Sequence, residues 1–255
     1  MNFTFFLFLI SSVFAAAPAV NFKNPAAGYN NTKITSTINI HTGNVTGYYY
    51  ANQGYFTTGD VGYFGFQPRG GIYLQHLTYS VFGSGPYSNH PNCGNGADGG
   101  DGVSCAAEYH FDFNKNYTFV QERIAHNEAT GENTWQGSVI NEETGDIFIV
   151  ANYTTPAKYG LLKNEVYCFD EFYPYNSLGN TPPEEWYCTP PSSYVQYAPV
   201  LYDADGNKYP TTFETFAGDY NKEFDECAFA QNTPNIRITK LNDYAAFFEN
   251  GFLTP

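Results

Sequence analysis

Thr134-Trp135-Gln136-Gly137-Ser138-Val139-Ile140-Asn141 and Asp146-Ile147-Phe148-Ile149-Val150-Ala151-Asn152-Tyr153 flank a short polar segment that ends in Thr144-Gly145. Both runs alternate and are rich in β-branched and aromatic side chains, so the pair reads as an antiparallel hairpin. Similar runs recur on either side, each bounded by Gly, Pro, Asn or Asp. They cover Lys33 to Ile40, Gly47 to Tyr50, Gly62 to Gln67, Ile72 to Phe82, Ala106 to Phe113, Tyr117 to Ala125 and Glu165 to Tyr173. Asp205-Gly206 marks one more hairpin turn. Short runs separated by turn signals predict an all-β fold, an antiparallel, jelly-roll-like β-sandwich, rather than alternating βαβ units. Only Asp243 to Asn250 reads as helix. The Pro-rich stretch 177–193 is expected to connect a sandwich over 20–176 to a smaller C-terminal β extension over 194–255.

Composition narrows the setting. Phe5 to Ile10 form a short apolar run that ends in Ala15-Ala16-Ala17, as a signal peptidase requires, and it is too short to span a bilayer. Residues 1–15 therefore read as a signal peptide, with 19 as the latest cut, and the product as secreted and extracellular. Eleven basic against 25 acidic residues give a net charge of −14. With no basic cluster, nucleic acid and anionic membranes are poor partners, and no stable membrane insertion is expected. Aromatic residues make up 19% of the chain and charged residues only 14%, so rings must serve on exposed faces as well as in the core.

The five cysteines are Cys93, Cys105, Cys168, Cys188 and Cys227. In an oxidising compartment they should pair. Cys93 with Cys105 is the favoured pair, because the Gly-rich loop between them can close; that closure contributes about 2–3 kcal/mol. Cys188 could take Cys168 or Cys227, and the odd cysteine could link two chains in a dimer. Asn30, Asn44, Asn116 and Asn152 each begin an Asn-x-Thr acceptor triplet, so a glycoprotein is expected in a eukaryotic host. The competing reading is that some triplets arise by chance in a chain rich in Asn and Thr.

From Gly62 to about Tyr173 the order of segments resembles a secreted family known only as domain-of-unknown-function family 3472. The residues that carry this are Gly62-Tyr63-Phe64-Gly65-Phe66-Gln67, Thr78 to Gly83, the loop ending Gly102-Val103-Ser104-Cys105, Tyr117-Thr118-Phe119, Trp135-Gln136-Gly137 and Phe169 to Tyr173. The resemblance implies an extracellular β-sandwich of the kind associated with carbohydrate-related proteins. It supplies no catalytic residues.

Three groups of residues bear on chemistry. A strand over Ala106 to Phe113 would put Glu108, His110 and Asp112 on one face, where they could act as acid and base; the alternative is a plain polar outer face. Glu171, beside Asp170, and Glu184-Glu185 add carboxylates for a glycan-active hydrolase or lyase, which needs a pair across a cleft. Asp98 and Asp101 in the Gly-rich loop could hold a structural calcium ion, the one cofactor suggested; the alternative is a solvated loop. Asp203, Asp205, Asn207 and Glu214 imitate a calcium loop, but Lys208 stands where glycine is required, so a β-turn is expected. Tyr48, Tyr49, Tyr50, Tyr55, Tyr87 and Trp135 lie in polar, Gly-rich settings, where rings could stack on sugar while Asn and Asp bond its hydroxyls. The expected function is non-catalytic binding of a polysaccharide or other glycan. The alternatives are the glycan-active enzyme using Glu108, Asp112 or Glu171, and a structural or host-interaction protein without a small-ligand site.

Overall fold

In a computed structural model, residues 18–70, 74–174, 189–217 and 236–251 are described. The chain is nearly all antiparallel strand: β1 (Ala19–Lys23), β2 (Asn31–Thr42), β3 (Tyr48–Phe56), β4 (Val61–Gln67), β5 (Leu74–Phe82), β6 (Cys93–Ala97), β7 (Gly100–His110), β8 (Asn116–His126), β9 (Asn133–Asn141), β10 (Ile147–Thr155), β11 (Leu162–Phe172), β12 (Ser192–Tyr197), β13 (Val200–Asp203), β14 (Lys208–Pro210), β15 (Thr212–Ala217), β16 (Ile236–Asn242) and β17 (Ala245–Asn250). Their pairings trace two layers. The first runs β15-β1-β11-β3-β4-β5-β7-β6. In the second, β2 has β8, β9 and β10 on one side and β12 with β17 and β16 on the other, and the β13-β14 hairpin lies beside its N-terminal half. A bridge from Leu162 to Asn31 joins the layers into one near-barrel network.

Side-chain alternation builds the core. Ile34, Ile38 and Ile40 of β2 face inward against Tyr48, Tyr50 and Phe56 of β3, with Phe64, Phe66, Tyr79, Phe119 and Trp135 around them. Sequence periodicity thus predicts the sandwich correctly, and both hairpin turns form. The described parts of the C-terminal section, 194–217 and 236–251, are largely strand and pair into both layers, with β15 on β1 and β12 on β2. The helix expected over Asp243 to Asn250 is a correction: it is β17, paired with β12 and β16. Ala245, Ala246, Phe248 and Asn250 are buried there, because strand pairing satisfies the backbone while both faces of the strand are covered.

Cys93 and Cys105 form the disulfide, cross-linking β6 to β7 at directly paired positions. Cys168 is a buried free thiol; Cys188 and Cys227 lie outside the described residues. The Asp203 turn is an ordinary hairpin organised by its own carboxylate, which accepts from the Asp205 and Asn207 backbone N–H groups at 3.0 and 2.9 Å and from the Tyr209 hydroxyl at 2.9 Å. The Asn207 side-chain amide, which donates to it at 2.9 Å, and then these donors hold the carboxyl below the usual range.

Gly65 marks the closest backbone approach between β4 and β3. A Cβ there would stand 2.1 Å from the Tyr50 carbonyl oxygen and 2.9 Å from the Ala51 Cα, and neither can move without breaking the ladder. Gly65→Ala should cost about 1–3 kcal/mol through overpacking. The reading is a lower urea midpoint at unchanged slope; an unshifted midpoint would show that the strands part freely here.

Candidate functional site

The outer face of the first layer is the unusual surface. One face of a sandwich sheet packs on the core and the other normally meets water. Here the odd-numbered positions of β3 point outward, yet Tyr49, Ala51 and Gln53 are 6%, 1% and 5% exposed, and Phe169 beside them is 1% exposed. Register explains the field. Gln53 stands between Tyr167 of β11 and Tyr63 of β4, and Ala51 stands between Phe169 and Gly65. Tyr63 packs against Phe82 at 4.6 Å and edge-on to Phe169 at 5.6 Å, and Tyr49 meets Phe169 edge-on at 6.0 Å. Tyr55, half-buried at the next outward position, lies under the Lys163 ammonium at 5.6 Å.

Polar atoms punctuate these rings. Thr78 Oγ1 donates to the Tyr49 hydroxyl at 2.8 Å, and Ser80 meets Ser104 at 3.0 Å. The Gln53 amide lies within the field, and its Oε1 has no partner. A buried, unpaired amide oxygen costs about 1–3 kcal/mol, so its retention asks for an explanation. Burial pushes the Tyr63 phenol up to about 12, with Glu171 and Asp98 adding to the effect. Tyr49 is also raised by burial, partly offset by the Thr78 hydrogen bond, and again both Asp98 and Glu171 add to the rise. Two carboxylates from different elements therefore act on the same two phenols. Burial raises the pKa of Asp98 itself.

Asp98 stands at the tip of the β6-β7 hairpin, near enough to this face to act on Tyr49 and Tyr63. At Gly102, φ is +143° and a Cβ would meet the Val81 carbonyl oxygen at 2.2 Å, a conformation and an approach open only to glycine. Asp98 itself takes φ 47° at the hairpin tip.

Several expected site residues fall elsewhere. Tyr48, Tyr50 and Trp135 are 0% exposed, a correction to their reading as sugar platforms: the even-numbered residues of β3 and the inward residues of β9 face the opposite layer. Glu108 and Glu171 occupy the two ends of one row, Glu171-Tyr49-Gln67-His76-Glu108, crossing five strands. Four steps at about 4.8 Å put their backbones roughly 19 Å apart, too far for a facing pair. Glu108 instead pairs with His76 at 2.7 Å. Asp112 lies past the end of β7, where its backbone N–H donates to the Tyr117 hydroxyl, and its carboxylate is 3.9 Å from His110. Of the two carboxylates suggested for calcium, Asp98 acts on Tyr49 and Tyr63, and Asp101 acts on Tyr159. Among the described residues no group of three or more His, Cys, Asp or Glu is arranged to hold a metal ion. Glu184, Glu185 and Trp186 lie outside the described residues.

A second concavity, about 350 Å³, lies on the other layer along the free edge of β10. The segment Tyr87 to Pro91 forms one wall; Thr134, Asn152 and Thr154 form the other. Tyr87 bridges to Thr154 through the backbone and keeps its ring 45% exposed.

No family model matches the chain, and no curated protein matches it in sequence. Among solved structures it is similar to scytalido-glutamic peptidase with a peptide-based transition-state analogue, at 8% identity and a TM-score of 0.48 over 92% of this chain and 98% of that one. It is also similar to the PL-14 alginate lyase of Aplysia kurodai, at 8% identity and a TM-score of 0.34 over 57% and 69% of the two chains. The CBM2 module of the Lactobacillus casei BL23 phage J-1 evolved Dit matches at 10% identity and a TM-score of 0.29 over 62% and 69%. No residue role is carried over from any of them.

Proposed function

We propose that this protein is a secreted glycoprotein that binds a polysaccharide on the outer face of its first layer, at the partly exposed rings Tyr55, Tyr63 and Tyr167, which the buried Tyr49, Gln53 and Phe169 support. One observation carries the reading: the partly exposed rings Tyr55, Tyr63 and Tyr167 stand on outward positions of three neighbouring strands, around an amide whose oxygen has no partner among the described residues. Aromatic planes suit the C–H faces of sugar rings, and the amide, hydroxyl and carboxylate groups between them suit sugar hydroxyls. The resemblance to family 3472 over residues 62–173 points to the same extracellular setting.

Asp98 and Glu171 favour a second reading, in which the same face cleaves a glycan. Both act on Tyr49 and Tyr63, so two carboxyls from different elements bear on one patch of rings, and burial raises the pKa of Asp98; acid-assisted glycoside cleavage needs two carboxyls with distinct roles.

The purified protein should be retained on members of a panel of soluble and insoluble polysaccharides, and Tyr63→Ala should weaken retention about tenfold or more, the size of a central anchor. Retention with no new reducing ends supports binding alone. New reducing ends that vanish in Asp98→Asn and Glu171→Gln, with retention preserved, would move the assignment to catalysis. A panel with neither signal would overturn both readings in favour of a structural or host-interaction role.

A further inference from the structure

The concavity beside β10 contains an acceptor asparagine. Asn152 opens the triplet Asn152-Tyr153-Thr154, and its side chain lines the same wall as Thr134 and Thr154. Its Oδ1 accepts from Gln136 Nε2 at 3.2 Å, which orients the amide, and no described residue accepts from its Nδ2. Facing it across about 350 Å³ are the half-exposed Tyr87 ring and the polar groups of Ser88, Asn89 and His90. The wall is held in place: Ser88 Oγ donates to the Asn152 carbonyl, Asn92 Nδ2 to the Val150 carbonyl at 3.1 Å, and Tyr87 and Thr154 exchange backbone bonds at 3.0 and 2.8 Å.

We propose that Asn152 carries an N-linked glycan whose first sugar lies in this groove, stacked on Tyr87, so that the protein packs its own modification against the edge of β10. In the transfer, Asn152 Nδ2 forms a bond to C1 of the sugar and loses a proton. The bond that breaks joins C1 to the diphosphate of a lipid-linked oligosaccharide donor, which leaves as the lipid diphosphate. A monosaccharide fits a space of this size, and a ring plane beside hydroxyl and amide donors is the surface sugars prefer.

Asn116 supplies the internal contrast. It lines a smaller concavity of about 250 Å³ with Asn39, Asn114, Lys115, Glu142 and Glu143, where no ring is present, so a glycan there would extend into solvent.

The test expresses the full chain in a glycosylating eukaryotic host, maps occupancy by glycopeptide mass spectrometry and follows release by an endoglycosidase that cuts between the first two sugars of the native protein. Asn152 should be occupied and its glycan released at least tenfold more slowly than that of Asn116. Tyr87→Ala should bring the two rates together, and Tyr87→Phe, which keeps the ring, should preserve the difference. An unoccupied Asn152, equal rates in the wild type, or protection that survives Tyr87→Ala would each overturn the proposal. Polysaccharide retention by the opposite layer is measured separately and should be unchanged in Tyr87→Ala.

Discussion

Lowering the pH from 7 toward 4 should strengthen folding, and Asp170→Asn should remove a large part of that gain. Asp170 is 1% exposed in the core, and its carboxyl is pushed well above the usual range by burial and then by Glu171, while the Asn250 side chain that donates to it acts in the opposite direction. In the unfolded chain the same group titrates near 4. Below that pH both states hold the proton and burial carries no ionic penalty. As the pH rises past it, the unfolded chain releases its proton and the folded one does not, so the folding equilibrium weakens by about tenfold per pH unit until the folded carboxyl also ionises.

The orphaned atoms tell the same story: Asp170 Oδ1 and Asn250 Oδ1 both lack a donor, and one proton on the carboxyl supplies what an acid–amide pair requires. Around Asp170, Tyr50, Tyr194 and Cys168 are all raised by burial and stay neutral across this range. Urea midpoints at pH 4, 5.5 and 7 decide the matter. The asparagine variant should be flatter and more stable than the wild type at pH 7; an equally steep profile, or destabilisation at every pH, would show that Asp170 is held ionised.

Trp135→Ala should lose about 3–5 kcal/mol of stability, the range for truncating a large core ring. Trp135 is fully buried, packs edge-on to Phe56 at 5.4 Å and donates from Nε1 to Thr155 Oγ1 at 3.0 Å. Truncation leaves a void between the layers, and a loss of that size is a large share of the 5–15 kcal/mol that holds a typical domain. Chemical unfolding reads it directly. Stability within about 0.5 kcal/mol of wild type, a surface effect, combined with lost polysaccharide retention, would return Trp135 to the role of a sugar platform. Trp135→Phe should lie between the two, since it keeps most of the volume and loses the indole bond.

The sandwich was legible where alternation was strict. In β2 the inward Ile34, Ile38 and Ile40 alternate with polar residues, and the cysteine pair could be read from its glycine loop alone. Legibility failed where a strand is buried on both faces. Tyr48, Tyr49 and Tyr50 alternate between two apolar environments, so periodicity separates the faces without saying which is wet. The run expected over Gly47 to Tyr50 continues to Phe56, because Ser36 Oγ reaches Asn52 Oδ1 at 2.5 Å in the core and Gln53 inserts among outward rings. Nothing in a string of letters marks that glutamine as buried. Asp98 was read for its loop, and nothing in the letters brings that hairpin tip within reach of Tyr49 and Tyr63. At the C-terminus, Lys240 and Asp243 have the spacing of a helical ion pair, but their 2.6 Å contact spans the turn between β16 and β17.

The position of β1 between β11 and β15 carries a cost in time. Ala19 pairs with Phe169 on one side and Ala217 on the other, so β1 cannot be flanked on both sides until residue 217 has been made. At ~5–20 residues per second of synthesis, roughly 10–40 s separate the two ends of that ladder. The intervening hairpins close locally and quickly, while β1 waits with Val20 and Phe22 uncovered and an edge on either side. Folding of this protein is therefore a race between the arrival of its last strands and the capture of its first by something else.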